Sequence, residues 1–202
     1  MTNMDITDVD PHKRSWVWQV NWLLLMLGPI AAALAIVVNN YDAEGFQHLQ
    51  VLLEYPAPWM VASVVVIYAI RSVATRNPLY VLSAVLAVIF TLREFHFEWV
   101  HHGVYAMLAG LAIWTVIWRK KLVRPLKDYQ HTSWLIATAT AYLLSQLIAR
   151  RAFRPIPGED QIHRSLEECA ETAAHLMFIA TSLVGNWRKA ASASSQDSSA
   201  AG

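Results

Sequence analysis

Charged residues are scarce in this chain. Lysine, arginine, aspartate and glutamate make up 15% of its 202 residues, against roughly 25% in an average soluble domain. The formal net charge is +1, so the chain lacks the strong basic field that draws proteins to nucleic acid. We therefore expect no nucleic-acid partner, and the composition argues against a soluble enzyme.

Cysteine is nearly absent, and several common motifs are missing. Cys169 is the only cysteine, so no internal disulfide can form and cysteine usage does not identify a redox compartment. The sequence contains neither a glycine-rich phosphate loop nor an internal repeat. No small-residue cleavage pattern lies beside the first apolar run, which we therefore expect to be a retained span rather than a signal peptide.

Apolar and aromatic residues are abundant instead. Hydrophobic residues make up 55% of the chain, nine residues are tryptophan, and the mean hydropathy is +0.32. Six segments are apolar enough to cross a bilayer, where a helix satisfies its own backbone hydrogen bonds. These segments are 16–38, 59–74, 79 to about 97, 103–118, 133–149 and about 166 to 187.

The sequence thus predicts an all-α polytopic integral membrane protein, a six-transmembrane-helix bundle over residues 16–189, with the lipid bilayer as its main partner. A cytoplasmic segment at 1–15 precedes the bundle, and a small, polar tail at 190–202 is expected to be disordered. Basic residues favour cytoplasmic N- and C-termini, because they concentrate in the short loop at 119–127 while the 39–58 loop has acids and no basic residue. The arginines between 150 and 164 run against this bias.

Ionisable residues gather at the predicted outer ends of the third and sixth spans. At about 1.5 Å per helical residue, Glu94 lies about 22 Å from Leu79, and Glu171 lies about 24 Å from Trp187. The two carboxylates therefore reach one level in the outer leaflet, with His175 one turn deeper. We take Glu94, Glu171 and His175 as candidate catalytic residues. The candidate metal ligands are Glu94, His96, Glu98, His101, His102, Glu168, Glu171 and His175.

Imidazole and carboxylate groups in this pattern are typical ligands of zinc or iron. Ionisable groups inside a membrane are costly, so they normally face the bundle interior and find partners there. Three protein ligands leave a position for water, which the metal converts into a nucleophile. The pattern favours a metal-dependent intramembrane enzyme acting on a lipid or other apolar substrate.

Structural explanations remain open for several of these residues. Ser165 and Glu168 have the spacing of a capping box that opens the last span. Arg93 and Glu94 can form an internal ion pair, or Arg93 can reach the lipid headgroups. Glu171 and His175 can be a hydrogen-bonded pair of purely structural value.

Three other functions remain open as well. The chain can be an accessory subunit that docks to other membrane subunits, a proton-coupled transporter, or a haem or quinone protein. Haem is the least favoured cofactor, because it needs two axial histidines at matching depth. His96 lies about 7 Å above His175 by the helical rise.

The segment "LREFHF" at 92–97, with "SLEECAE" at 165–171 opening a last span, resembles a group of small uncharacterised bacterial multipass inner-membrane proteins. Those proteins carry an Arg-Glu-x-Asp-Phe segment followed by a Glu-rich start to a later helix. His96 stands where that pattern has Asp. The resemblance implies a location in the bacterial inner membrane and no particular activity.

Overall fold

The computed structural model describes residues 20–42, 45–46, 48, 52, 54–95, 100–123, 125–155 and 159–185. Within these residues the fold is entirely helical and contains no strand, which confirms the predicted all-α class. A 3₁₀ segment, Trp22–Met26, leads directly into the first of six α-helices. The helices are α1 (Leu27–Tyr41), α2 (Ala57–Thr75), α3 (Pro78–Glu94), α4 (Val100–Leu122), α5 (Tyr129–Ala149) and α6 (Glu159–Leu183).

Local sequence signals explain where α3 and α5 begin. The side chain of Asn77 accepts a hydrogen bond from the Leu79 backbone N–H at 2.9 Å, and Pro78 occupies the first helical position, as the sequence predicted. Asp128 caps α5 by accepting from the His131 N–H at 3.3 Å. Arg76 ends α2 in the left-handed region, with φ of 52°. These residues fix the short connections that lead into α3 and α5.

The last helix begins earlier than predicted. The apolar pattern and the proposed capping box placed its start near Leu166, but α6 extends from Glu159. Ser165 is therefore a buried residue inside the helix and not its N-cap, so the capping-box prediction was wrong. Hydropathy marks only the apolar part of a helix, whereas backbone hydrogen bonding continues through the polar turns before it.

The helices pack most closely as the pairs α2–α3 and α5–α6. Helix α1 lies against α5 and α6, α4 lies against α3, and α2 joins the two halves by packing on α6 as well. Small residues allow the close approaches: Ala87, Ala137, Ala141 and Ala174 are all buried in the central cluster. Phe46 is also buried, beside residues of α1, α5 and α6.

Three of the described segments are long and apolar enough to cross a membrane: Trp22–Tyr41, Ala57–Thr75 and Tyr129–Ala149. Only 11% of the most apolar part of Trp22–Tyr41 is buried in the fold, and 28% of that of Ala57–Thr75. Large apolar side chains of these segments, such as Leu23 and Val73, are therefore exposed on the surface, and so is Ile117 of α4. The predicted 1–15 and 190–202 segments lie outside the described residues.

Candidate metal centre between α3 and α6

Three of the predicted site residues come together between α3 and α6. Glu94 is the last residue of α3, while Glu171 and His175 are four residues apart and share one face of α6. One donor atom from each of the three side chains lies within 4.8 Å of the other two. Two helices far apart in sequence therefore supply two carboxylates and an imidazole to a single point.

The imidazole is the most deeply placed member of this group. His175 is 1% exposed, and its Nε2 lies 3.6 Å from Oε1 of Glu94. The Glu94 side chain is 10% exposed and that of Glu171 is 15% exposed. All three side chains are thus largely buried, and buried charged or polar groups need partners.

Arg93 connects the group to a third helix. Its Nη2 lies 2.7 Å from Oε1 of Glu171. The side-chain amide oxygen of Gln146, on α5, accepts from Nη1 at 2.9 Å and from Nη2 at 3.3 Å. Arg93 therefore pairs with Glu171 and Gln146. Consecutive residues on a helix point in different directions, so Arg93 and Glu94 reach different partners.

Aromatic rings form an apolar layer beneath the carboxylates. Phe90, one turn before Glu94, stacks on Tyr142 with ring centroids 4.4 Å apart. Phe178, one turn after His175, meets both Phe90 and Tyr142 edge-on. The Tyr142 ring also meets the His175 ring edge-on at 5.7 Å. This layer fills the space between α3, α5 and α6 and closes the site on its inner side.

Two buried polar side chains at the site have unused hydrogen-bonding capacity. Among the described residues, neither the Tyr142 hydroxyl nor the two ring nitrogens of His175 have a hydrogen-bond partner. Buried polar groups in folded proteins are nearly always paired with protein, water or an ion. Leaving one unpaired costs about 1–3 kcal/mol. The unpaired hydroxyl and imidazole nitrogens are therefore typical of a site that binds a polar ligand or an ion.

The donor set suits a divalent metal after a small contraction. Zinc binds histidine nitrogen and carboxylate oxygen at about 2.0–2.2 Å, so neighbouring donors around a tetrahedral ion are about 3.4 Å apart. The Glu94–His175 distance of 3.6 Å already fits this value. The remaining donors need to move inward by about an ångström, which carboxylate rotation can supply.

Among the predicted ligands whose side chains the structure describes, only Glu168 lies outside this group. Glu168 lies on α6, but its carboxylate is not among the three clustered donors. His101 and His102 fall in the first turn of α4, and their side chains lie outside the part of the structure that is described. His96 and Glu98 also lie outside the described residues.

Sequence reasoning missed a second buried polar group, which we call the inner cluster: Tyr68, Arg71, Tyr80 and His131. Arg71 is fully buried and donates to the Ser182 carbonyl at 2.6 Å, the Val184 carbonyl at 2.8 Å and the Tyr80 hydroxyl at 2.8 Å. His131 meets the Tyr68 and Tyr80 rings edge-on.

The inner cluster anchors the end of α6. The last carbonyls of a helix lack partners within it, and the Arg71 guanidinium satisfies two carbonyls there, so this arginine is a cap supplied by another helix. Ser182 lies about 10 Å along α6 from His175. The available signal is an arginine inside an apolar helical run, one turn after a tyrosine, although the usual rule reads such an arginine as a charge at the cytoplasmic boundary.

Comparisons with protein-family models, curated proteins and solved structures found no match to this chain. The chemistry of the site therefore has to be argued from its own residues.

Proposed function

We propose that this chain is an integral protein of the bacterial inner membrane and that all six helices lie in the bilayer, with both termini cytoplasmic. Three helices with the length and apolarity of membrane spans support this proposal. The exposed apolar side chains support it as well, because soluble proteins rarely leave such continuous apolar surface in water. In this orientation the Glu94–Glu171–His175 group lies in the outer half of the membrane.

We further propose that this group binds a divalent metal ion, zinc or iron, and that the protein is a metal-dependent enzyme. The observation that carries the proposal is the convergence of three ligand-type atoms within 4.8 Å on largely buried side chains. Three protein ligands leave one position of a four-coordinate ion for water or substrate. A metal in that setting polarises a bound carbonyl or phosphoryl oxygen and activates bound water for attack.

Arg93 shapes the charge of the proposed centre. Two carboxylates beside one guanidinium carry a net charge of about −1, and a divalent ion would bring the centre to about +1. Arg93 contacts Oε1 of Glu171 and also donates to the Gln146 amide oxygen, and a carboxylate has a second oxygen that can bind the ion. The surroundings of the site are apolar helices, which favours a lipid or another apolar molecule as the substrate.

A proton-handling role is the second candidate, and one observation favours it. The site contains two acid–base pairs, Arg93 with Glu171 and His175 with Glu94. Ionisable chains of this kind suit proton relays in transporters. In that case the site would carry protons and would show no selective affinity for metal.

Metal content of the purified protein tests the first proposal. The protein in detergent is stripped with a chelator and reloaded with Zn²⁺ or Fe²⁺; after dialysis, metal and protein are quantified. We expect a single ion per chain in the unaltered protein and its loss in the Glu171→Ala, His175→Ala double variant. The isosteric Glu94→Gln variant is expected to weaken binding while keeping the thermal midpoint, which separates loss of a ligand from loss of the fold.

The chain offers a matched control on the same helix. His163 Nε2 and Glu167 Oε2 are also 3.6 Å apart, but this pair belongs to no group of three donors in the described residues. The His163→Ala, Glu167→Ala variant should therefore bind metal like the unaltered protein. Equal and negligible metal in the unaltered protein and both double variants would refute the metal centre and leave the proton-handling role.

Lipid turnover tests the enzymatic part separately. The loaded and stripped proteins are incubated in vesicles of bacterial phospholipids, and the products are identified by mass spectrometry. We expect a lipid product that forms only with the loaded protein and not with the Glu171→Ala, His175→Ala variant. Metal binding without any such product would retain the metal centre and reject a phospholipid substrate.

A further inference from the structure

Tyr142 is the buried polar residue at the site that the proposed centre does not yet use. Its side chain is 7% exposed, and its hydroxyl has no hydrogen-bond partner among the described residues. Its ring meets the rings of His175, a proposed ligand, and Phe178 edge-on, so the side chain lies on the side of α5 that packs against α6. The buried hydroxyl therefore lies inside the bundle, beside the proposed metal centre.

The ring of Tyr142 does not explain the hydroxyl. Stacking on Phe90 and the edge-on contacts with Phe178 and His175 need only an aromatic ring, which phenylalanine also has. A phenylalanine at 142 would make the same ring contacts and avoid the cost of an unpaired buried hydroxyl. The oxygen is therefore explained only by a polar partner that is neither Phe90 nor Phe178.

The charged side chains nearby already have other partners, which limits what the Tyr142 hydroxyl can bind. Glu94 and Glu171 are the proposed ligands of the ion, and Arg93 is occupied by Glu171 and Gln146. A tyrosine hydroxyl is a good donor to a negatively charged oxygen. An oxygen atom on the metal, beside the carboxylates and above the aromatic layer, is such an acceptor.

We propose that the Tyr142 hydroxyl donates a hydrogen bond to the non-protein oxygen that occupies the open position of the metal, whether bound water or an anionic oxygen of the substrate. This inference rests on the proposed metal centre. Tyr142 is then a ligand-contacting residue that stabilises negative charge on that oxygen, as donors in oxyanion sites do. It is not itself a metal ligand.

A cobalt-loaded protein provides the test, because Co²⁺ absorbs visible light and its spectrum reports both metal binding and ligand exchange. Co²⁺ affinity is measured first, and acetohydroxamate, an anion that binds metals through oxygen, is then titrated into the loaded protein. In Tyr142→Phe we expect unchanged Co²⁺ affinity and about tenfold or more weaker acetohydroxamate binding, the size of a lost hydrogen bond to a charged group.

Tyr68→Phe is the matched control. Tyr68 is also buried, and its hydroxyl lies 3.4 Å from Nε2 of His131 in the inner cluster, away from the metal centre. Removing that hydroxyl should change neither Co²⁺ nor acetohydroxamate affinity. A purely structural role for Tyr142 would make both phenylalanine variants behave alike.

Each other outcome contradicts the inference in a recognisable way. Unchanged acetohydroxamate affinity in Tyr142→Phe would remove the hydrogen bond, and loss of Co²⁺ from that variant would make Tyr142 a metal ligand. If the unaltered protein binds Co²⁺ but never acetohydroxamate, the metal has no open position and the inference is wrong while the metal centre stands. If the unaltered protein binds no Co²⁺, the metal centre and this inference are both wrong.

Discussion

Replacing Arg71 with methionine should destabilise the helical bundle strongly. Methionine, like the hydrocarbon part of arginine, is unbranched and apolar. The substitution removes the guanidinium that donates to the Ser182 and Val184 carbonyls and to the Tyr80 hydroxyl. The guanidinium also lies 4.2 Å from the Tyr80 ring centroid, a favourable cation–π position. The end of α6 would lose its attachment to α2 and α3.

The structure allows the size of this effect to be worked out. Three polar groups, two of them buried, lose a donor, at about 1–3 kcal/mol each if they find no other partner. The variant no longer has to bury a charge, which offsets part of that loss. We expect a net loss of about 3–5 kcal/mol of unfolding free energy once this offset is subtracted.

Tryptophan fluorescence during heating in a fixed detergent measures the effect, since the chain has nine tryptophans. A loss of that size corresponds to a fall in the thermal midpoint of about 6–20 °C for a chain of this length. Arg119→Met is the control, because Arg119 is exposed on α4 and its loss should change the unfolding free energy by less than about 0.5 kcal/mol. Equal midpoints for Arg71→Met and Arg119→Met would refute the anchoring role of Arg71.

Three further substitutions test the packing of the bundle. Gly185→Ala should lower the free energy of unfolding by about 1–3 kcal/mol, because φ is +95° and a Cβ there would lie 3.0 Å from Oδ2 of Asp128. Gly110→Ala should leave the free energy of unfolding unchanged or raise it by up to about 1 kcal/mol, because a Cβ there would meet nothing within 4 Å. Thermal midpoints that fall equally for the two alanines would contradict this reasoning. Thr138→Val should lower the free energy of chemical unfolding by about 1 kcal/mol, because it removes the buried 2.7 Å hydrogen bond between Thr138 and Thr181 that links α5 to α6. An unchanged unfolding midpoint would mean that this hydrogen bond adds no stability.

The helices could be predicted well from the sequence, because apolar runs and caps are local signals. Each of the six apolar segments overlaps one of the six described α-helices, and the Asn77–Pro78 start of α3 was predicted to the residue. The start of α6 was wrong because Ser165 resembles a cap only if the turns before it are ignored. Polar turns can continue a helix beyond the point where its apolar residues stop.

The candidate site could be predicted in part, because the rise per residue reliably gives the distance between two residues along a helix. Counting residues placed Glu94 and Glu171 at one level, and the structure brings their side chains together with His175. The partner of Arg93 was left open, although helical geometry already disfavours an ion pair between adjacent residues. Tyr142 could not be predicted as a site residue, since no sequence rule tells a buried hydroxyl with a partner from one without.

The inner cluster could not be predicted from local patterns. Positive charge near the end of an apolar span is the usual sign of a cytoplasmic boundary, and that rule assigns Arg71 to the surface. Its burial depends on two carbonyls at the end of α6, more than a hundred residues later in the chain. Contacts of this range follow from tertiary packing and leave no periodic signal in the sequence.

The X-ray absorption spectrum of the zinc-loaded protein tests most directly whether Glu94, Glu171 and His175 share one ion. The account predicts a shell of nitrogen and oxygen ligands at about 2.0–2.2 Å, with outer scattering from a single imidazole that disappears in His175→Ala. A sulfur ligand at about 2.3 Å, which only Cys169 or a methionine of this chain could supply, would contradict it. So would scattering from several imidazoles, or a spectrum that is the same with and without His175.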